Sequence, residues 1–285
     1  MSKYGPKKTA TDVELVKPDE PAVKQKKAVF TAAASIAAAG EDSYIPAYEK
    51  AEAGTRSRIV AATMAQQKRG KTTFAFSMPK PLAYLQLDNN YEHALKAARK
   101  KYGIDSIRHL SYSSSDPRVD LHAEAKTRWA RFIQDYSYCV KNFKSVVVDT
   151  MTELYDLRRL AEFGRTTQIM QLFYGPIYSD LRWMVTHALR HDANVLFLHR
   201  MGDEYINNQK TGGLKLQGWA GIAYESQMLL EHTRDEDNNF ITTIRESSSD
   251  AMLIGMELDA AEEENDFPTL ATRVYPETER SDWEE

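Results

Sequence analysis

The residues best placed to do chemistry in this 285-residue chain form one short run, Ala65-Gln66-Gln67-Lys68-Arg69-Gly70-Lys71-Thr72-Thr73. The apolar segment Arg58–Met64 precedes it and a helix-compatible stretch follows. A strand, a loop closing on Gly-Lys-Thr and a helix together aim backbone N–H groups and a helix N-terminus at phosphate oxygens. In that arrangement Lys71 reaches the outer phosphates of a triphosphate, and the Thr72 hydroxyl ligates Mg²⁺. Ala65 stands where such loops usually begin with glycine, so the backbone there must avoid a glycine-only conformation. Gly-Lys-Thr alone is equally compatible with an ordinary strand–helix turn carrying a surface lysine.

The second half of the chemistry lies about 80 residues on. Val146-Val147-Val148-Asp149-Thr150 is an apolar strand ending in a carboxylate, the form of a Walker B motif, whose Asp holds the Mg²⁺ shell through Thr72 or water. An Asp capping the helix that starts near Thr150 is the alternative.

These residues need a frame. Arg58–Met64, Leu82–Asp88, Ser145–Asp149 and Asn194–Leu198 read as buried strands, because short continuous apolar runs suit strands covered on both faces. Between them, Leu121, Ala125, Trp129, Phe132 and Tyr136 repeat at helical spacing, as do Ile177, Leu181, Met184, Val185 and Ala188. Strands alternating with helices predict an α/β fold with a mainly parallel central sheet flanked by helices. Gln227–Glu231 and Phe240–Arg245 flank an acidic, Asn-rich turn and read as a C-terminal hairpin.

The ends differ from the middle. Residues 1–27 carry seven lysines against four acids, with three prolines, which reads as a tail; residues 28–40 are alanine-rich and fit a short helix, and Ser43–Arg58 fits a linker or a packed helix. From Glu257 onward eleven acids face two arginines, which reads as a mobile acidic tail. The expected organisation is an arm over 1–55, a core over 56–250 and the tail over 251–285. A net charge of -4 excludes a globally basic nucleic-acid coat but not a local basic groove. The lone Cys139, the absence of an apolar leader and the lack of a run long enough for a membrane span point to an intracellular, cytoplasmic protein.

In order and spacing, Leu82–Leu95, Val146–Leu154 and Asn194–Glu231 resemble the core of the RecA-like P-loop ATPases, and most of all the small phage ATPases of single-strand annealing and recombination. The resemblance covers about 56–250 and implies a RecA-like P-loop NTPase core that binds ATP and Mg²⁺. It implies a phosphate loop over Ala65–Thr73 and metal contacts from Thr72 and Asp149. Leu85–Leu95 resembles the strand that bears the family's catalytic glutamate. The simplest register puts Asn90 there; Glu92, which could instead simply begin a helix, and Asp88 are the nearby carboxylates that could activate water. Val195–Arg200 resembles the strand ending in a polar γ-phosphate sensor, which places His199 in that role against that of a hydrogen-bonded structural histidine. Arg245 resembles the basic residue supplied to a neighbour's ATP, against that of a solvated strand-end arginine.

The same resemblance places single-stranded DNA on two segments read as loops, 164–175 and 200–219. They mix basic with flat groups, among them Arg165, Phe173, Tyr174, Arg200, Tyr205, Lys210, Lys215 and Trp219. It implies a homo-oligomer, ring or filament, serving recombination, annealing or repair in a phage-infected host alongside a single-strand-binding or recombination partner, with no membrane. A replication motor or loader of the same fold, and a nucleotide-binding scaffold without turnover, are the alternative readings.

Overall fold

A strand buried on both faces needs apolar side chains at every position, and the triple valine of Ser145–Asp149 shows what each one does. In the computed structural model Val146 and Val148 pack with Leu85, Val195 and Phe197 on one face, while Val147 packs with Tyr84, Leu196 and Leu198 on the other. The structure describes residues 57–88, 91–112, 121–206, 209–261 and 264–284. The expected N-terminal arm, the alanine-rich stretch and Asn90 lie outside the described residues.

From the N-terminus the elements that position the site are β1 (Val60–Ala65), α1 (Lys71–Ala75), β2 (Leu82–Gln86), α2 (Glu92–Tyr102), β3 (Ile107–Ser111), α3 (Leu121–Asn142), β4 (Ser145–Asp149) and α4 (Met151–Phe163). Then follow α5 (Gly175–Leu189), β5 (Asn194–Ile206), β6 (Gln209–Leu216), α6 (Ile222–Glu225), β7 (Met228–Arg234), β8 (Phe240–Ser247), β9 (Glu257–Asp259) and α7 (Phe267–Val274). Among the described residues the sheet order is β3-β2-β4-β5-β1-β7-β8-β9, with β6 attached to the far half of β5. The strands from β3 to β7 are parallel; β8 and β9 run antiparallel to their neighbours. Residues of α3, α4 and α5 cover one face, and those of α1, α2 and α7 the other. The α/β class with a mainly parallel central sheet flanked by helices, and the β7–β8 hairpin, both expected from the sequence, are what form.

Every apolar residue of the Ile177–Ala188 pattern is buried on α5. On α3, Phe132 and Tyr136 are buried but Leu121 is 49% exposed, because the helix begins there before reaching the core.

Two expectations are corrected. The acidic C-terminus is packed, not a mobile tail. Leu258, Phe267, Leu270 and Ala271 are fully buried and Trp283 is 4% exposed. Phe267, Leu270, Ala271 and Val274 recur at helical spacing, Asp266 caps α7 by accepting from Thr269 N, and Arg280 pairs with Glu264, Asp266 and Glu284. Among the described residues, Glu257, Glu264, Glu277, Glu279, Asp282 and Glu284 are exposed, on the solvent side of an amphipathic segment.

The segment 200–219 is a β-hairpin, not an irregular loop: β5 continues from the core and pairs with β6 from Met201↔Leu216 to Ile206↔Gln209. Trp219, assigned to that loop, is 6% exposed and packs in the core. Arg200 is engaged at the hairpin's base, as described below.

Candidate nucleotide site

The parallel strands align their C-terminal ends, the edge at which open α/β sheets hold ligands. Asp149 pairs with Gln86 on one side and Leu198 on the other; Met64 pairs with His199, and Ala65 with Arg200 and His232. The sheet register therefore brings the strand that leads into the Gly-Lys-Thr turn, the carboxylate strand and the histidine strand to one edge.

Ala65 closes β1 in ordinary extended pairing, buried and with no positive φ, so alanine serves where glycine was expected. Gln66, Gln67 and Lys68 are exposed, Arg69 and Gly70 half-buried, and Thr73 exposed on α1. Gly70 has φ 93°, which favours glycine, and a Cβ there would lie 2.6 Å from the Phe240 ring. The hairpin tip thus abuts the loop, and Arg234 sits 4.2 Å from the centroid of the same ring.

Lys71 begins α1, and its Nζ lies 3.5 Å from Ala65 O, a long contact that folds the side chain back over the loop. Burial lowers its pKa, opposed by the charge of Asp149. Thr72 Oγ1 donates to Asp149 Oδ2 at 3.0 Å, and Tyr84 Oη donates to the same oxygen at 2.8 Å. Asp149 is 4% exposed; burial raises its pKa, while the two hydroxyls and Lys71 pull it back. Burial first, then the Asp149 charge, pushes the Tyr84 phenol far above its ordinary value, so it stays a donor.

Mg²⁺ bound with a nucleotide usually needs only one or two protein carboxylates, because phosphate and water oxygens complete its shell. Among the described residues no group of three or more His, Cys, Asp or Glu side chains could hold a metal unaided. A threonine hydroxyl that donates its hydrogen bond to a buried aspartate, leaving its lone pairs free, fits that role. In such a site the ion neutralises phosphate charge.

The remaining candidates are placed unequally. Asp88 accepts from Arg200 at 2.8 Å, and Arg200 also pairs with Glu153 on α4 at 2.5 Å. Arg200 and Asp88 both act on the Lys71 charge, with opposite signs. The Arg200 N–H donates to Thr152 Oγ1, and its carbonyl accepts from Gln217 N, so it anchors the base of the β5–β6 hairpin. Glu92 is exposed on the first turn of α2 and lines a cleft with Tyr91, Arg99 and His109. Arg245 is exposed and pairs with Glu231 of its own hairpin.

His199 is fully buried, and burial lowers its pKa to about 4. Its Nδ1 lies 3.1 Å from Gln217 O, so Nδ1 carries the proton in the neutral form and Nε2 presents a lone pair. That Nε2 has no partner among the described residues, and the nearby Lys71 also disfavours its protonation.

Sequence reasoning missed His232, the counterpart on the other side of β1. It is buried, its Nδ1 lies 2.9 Å from Thr242 Oγ1, its Nε2 is unpartnered among the described residues, and burial lowers its pKa to about 3. It also missed Tyr84, whose only signal was a phenol inside an apolar strand.

The expected DNA segments are both exposed. On 164–175, Met170, Leu172 and Phe173 are between 50% and 72% exposed, whereas Tyr174 is buried. On the hairpin, Lys210 and Lys215 are exposed, and Lys210 pairs with Asp203 at 2.8 Å.

No protein-family profile matches the chain, and no curated protein does. Among solved structures it is similar to the crystal structure of the RadB recombinase, at 14% identity and a TM-score of 0.44, over 70% of this chain and 86% of that one. Among the described residues no helix is long and apolar enough to cross a membrane.

Proposed function

We propose that the chain binds ATP with Mg²⁺ and couples nucleotide state to single-stranded DNA in recombination, annealing or repair. The single observation that carries the nucleotide reading is the Thr72–Asp149 hydrogen bond beside Lys71, at the sheet edge where the phosphate loop ends. A capping role alone does not account for it: Thr150, not Asp149, caps α4 by accepting from Glu153 N. In this reading Ala65–Thr73 cradles the phosphates, Lys71 contacts the outer two, and Thr72 and Asp149 organise the metal.

The DNA reading is supported by exposure, since the β5–β6 hairpin and the segment 164–175 present basic and apolar side chains on the same chain as the site. His199 and Arg200 stand between the site and that hairpin, the route by which a γ-phosphate would be felt there. Assembly into a ring or filament, with Arg245 reaching a neighbour's nucleotide, belongs to the same reading.

A second reading, nucleotide binding with little turnover, is favoured by one observation: Asp88 is committed to Arg200, and Glu92 is exposed on a helix turn. ATP hydrolysis measured with and without single-stranded DNA, for wild type and Lys71→Ala, separates the two. DNA-stimulated turnover lost in the variant supports the first reading; ATP binding without turnover in either condition supports the second.

A further inference from the structure

We propose that Tyr84 is a positioning residue for the metal shell, acting through Asp149; this rests on the nucleotide reading above and deepens it. Tyr84 on β2 pairs directly with Val147 on β4, so Asp149 is its diagonal neighbour two residues on, on the same face of the sheet. Diagonal neighbours are too far apart for short side chains and within reach of a tyrosine. The phenol spans that gap and donates to Oδ2 at 2.8 Å.

The same oxygen accepts from Thr72 Oγ1 at 3.0 Å. Two hydroxyls from different elements therefore converge on one carboxylate oxygen. Tyr84 fixes the carboxylate's rotation, and the fixed carboxylate accepts the hydrogen bond that the Thr72 hydroxyl donates. With its proton directed at Asp149, the Thr72 oxygen turns its lone pairs away from Asp149, as a metal ligand must. Oδ1 of Asp149 is left for waters of a metal shell.

Tyr84 is itself held. It is fully buried, with its ring 4.9 Å from that of Phe76 behind α1, 6.1 Å from Tyr91 and 5.8 Å from His109. A side chain wedged among three rings has no rotamer freedom to lose when it makes the hydrogen bond.

The test compares wild type with Tyr84→Phe. ATP affinity is measured by calorimetry without divalent metal, and again across a Mg²⁺ titration. The expected result is unchanged metal-free affinity and a half-saturating Mg²⁺ concentration raised roughly three- to tenfold, the scale of losing one ordinary hydrogen bond. In an Asp149→Asn background, adding Tyr84→Phe should produce no further shift. Tyr91→Phe, which perturbs the same aromatic group without touching Asp149, should leave the Mg²⁺ titration at the wild-type value. Equal Mg²⁺ dependence in Tyr84→Phe and wild type overturns the proposal while leaving the nucleotide site standing. Absence of ATP binding in wild type overturns both.

Should Tyr84→Phe not fold, wild-type protein carrying 3-fluorotyrosine at position 84 serves instead. Its fluorine resonance should move when Mg²⁺ is added to the ATP-loaded protein, and an immobile resonance overturns the inference.

Discussion

Thr72 and Asp149 stand 77 positions apart and share a hydrogen bond of 3.0 Å. One lies in the first turn of α1, after the Gly-Lys turn that follows β1, and the other ends a buried strand; the two meet because only β5 separates β1 from β4 in the sheet. Replacing Asp149 by Asn removes the charge and keeps the shape. The expected outcome is normal folding, near-normal metal-free ATP binding and a Mg²⁺ dependence weakened by at least tenfold, on the scale of charged hydrogen bonds. An isothermal Mg²⁺ titration checks it.

Arg200→Ala should loosen the base of the β5–β6 hairpin. Its guanidinium is about one-third exposed and joins Asp88 to Glu153, so the stability loss should stay near ~1 kcal/mol after solvent screening. Hydrogen exchange should accelerate over 201–216 more than over β4. Uniform acceleration across both would place the effect in the whole fold.

Stability should fall as the solution is acidified, for a reason that can be signed. His199 and His232 have folded-state values near 4 and 3, below the ordinary 6.5, because burial disfavours the charged ring. Depressed values mean that their contribution is fully present above about 6.5 and is lost as pH falls toward 4, where the unfolded chain takes up protons that the folded chain refuses. Urea unfolding at pH 7 and pH 5 measures it. His232→Asn should flatten the slope, and an unchanged slope would assign the acid sensitivity elsewhere.

Trp283→Ala should destabilise the fold by about 3 kcal/mol, the usual loss for a buried large aromatic. The ring stacks on Tyr275 at 5.8 Å, meets Phe267 edge-on at 6.1 Å, and donates from Nε1 to Thr278. Truncation after Met256 should therefore unfold the protein and not merely unmask a charged surface. Chemical denaturation of both variants decides it.

These predictions show where the sequence was readable. Continuous apolar strands announce a sheet covered on both faces, and Gly-Lys-Thr followed about 80 residues later by Val-Val-Val-Asp announces the pair that Thr72 and Asp149 make. The edge strand Ile107–Ser111 was invisible because only Ile107 of its five residues is buried, while Arg108 and Ser111 are exposed, so it carries no continuous apolar run. The C-terminal packing was hidden by its acids, although Phe267, Leu270, Ala271 and Val274 carry the helical period and Asp266 the cap. Tyr84 and His232 looked like ordinary strand residues, and only the register between strands far apart in sequence gives them their neighbours. The sequence placed Glu92 and Asp88 together as bases, but an ion pair to Arg200, 112 positions away from Asp88, distinguishes them.

If Lys71, Thr72 and Asp149 hold a nucleotide together, calorimetric titration of ATP into wild type and Lys71→Ala, with and without Mg²⁺, reads it out. Wild type should bind saturably and more tightly with Mg²⁺, and the variant should lose at least tenfold in affinity with the fold retained by circular dichroism. Equal affinity in the two proteins, or no binding by wild type, would contradict it.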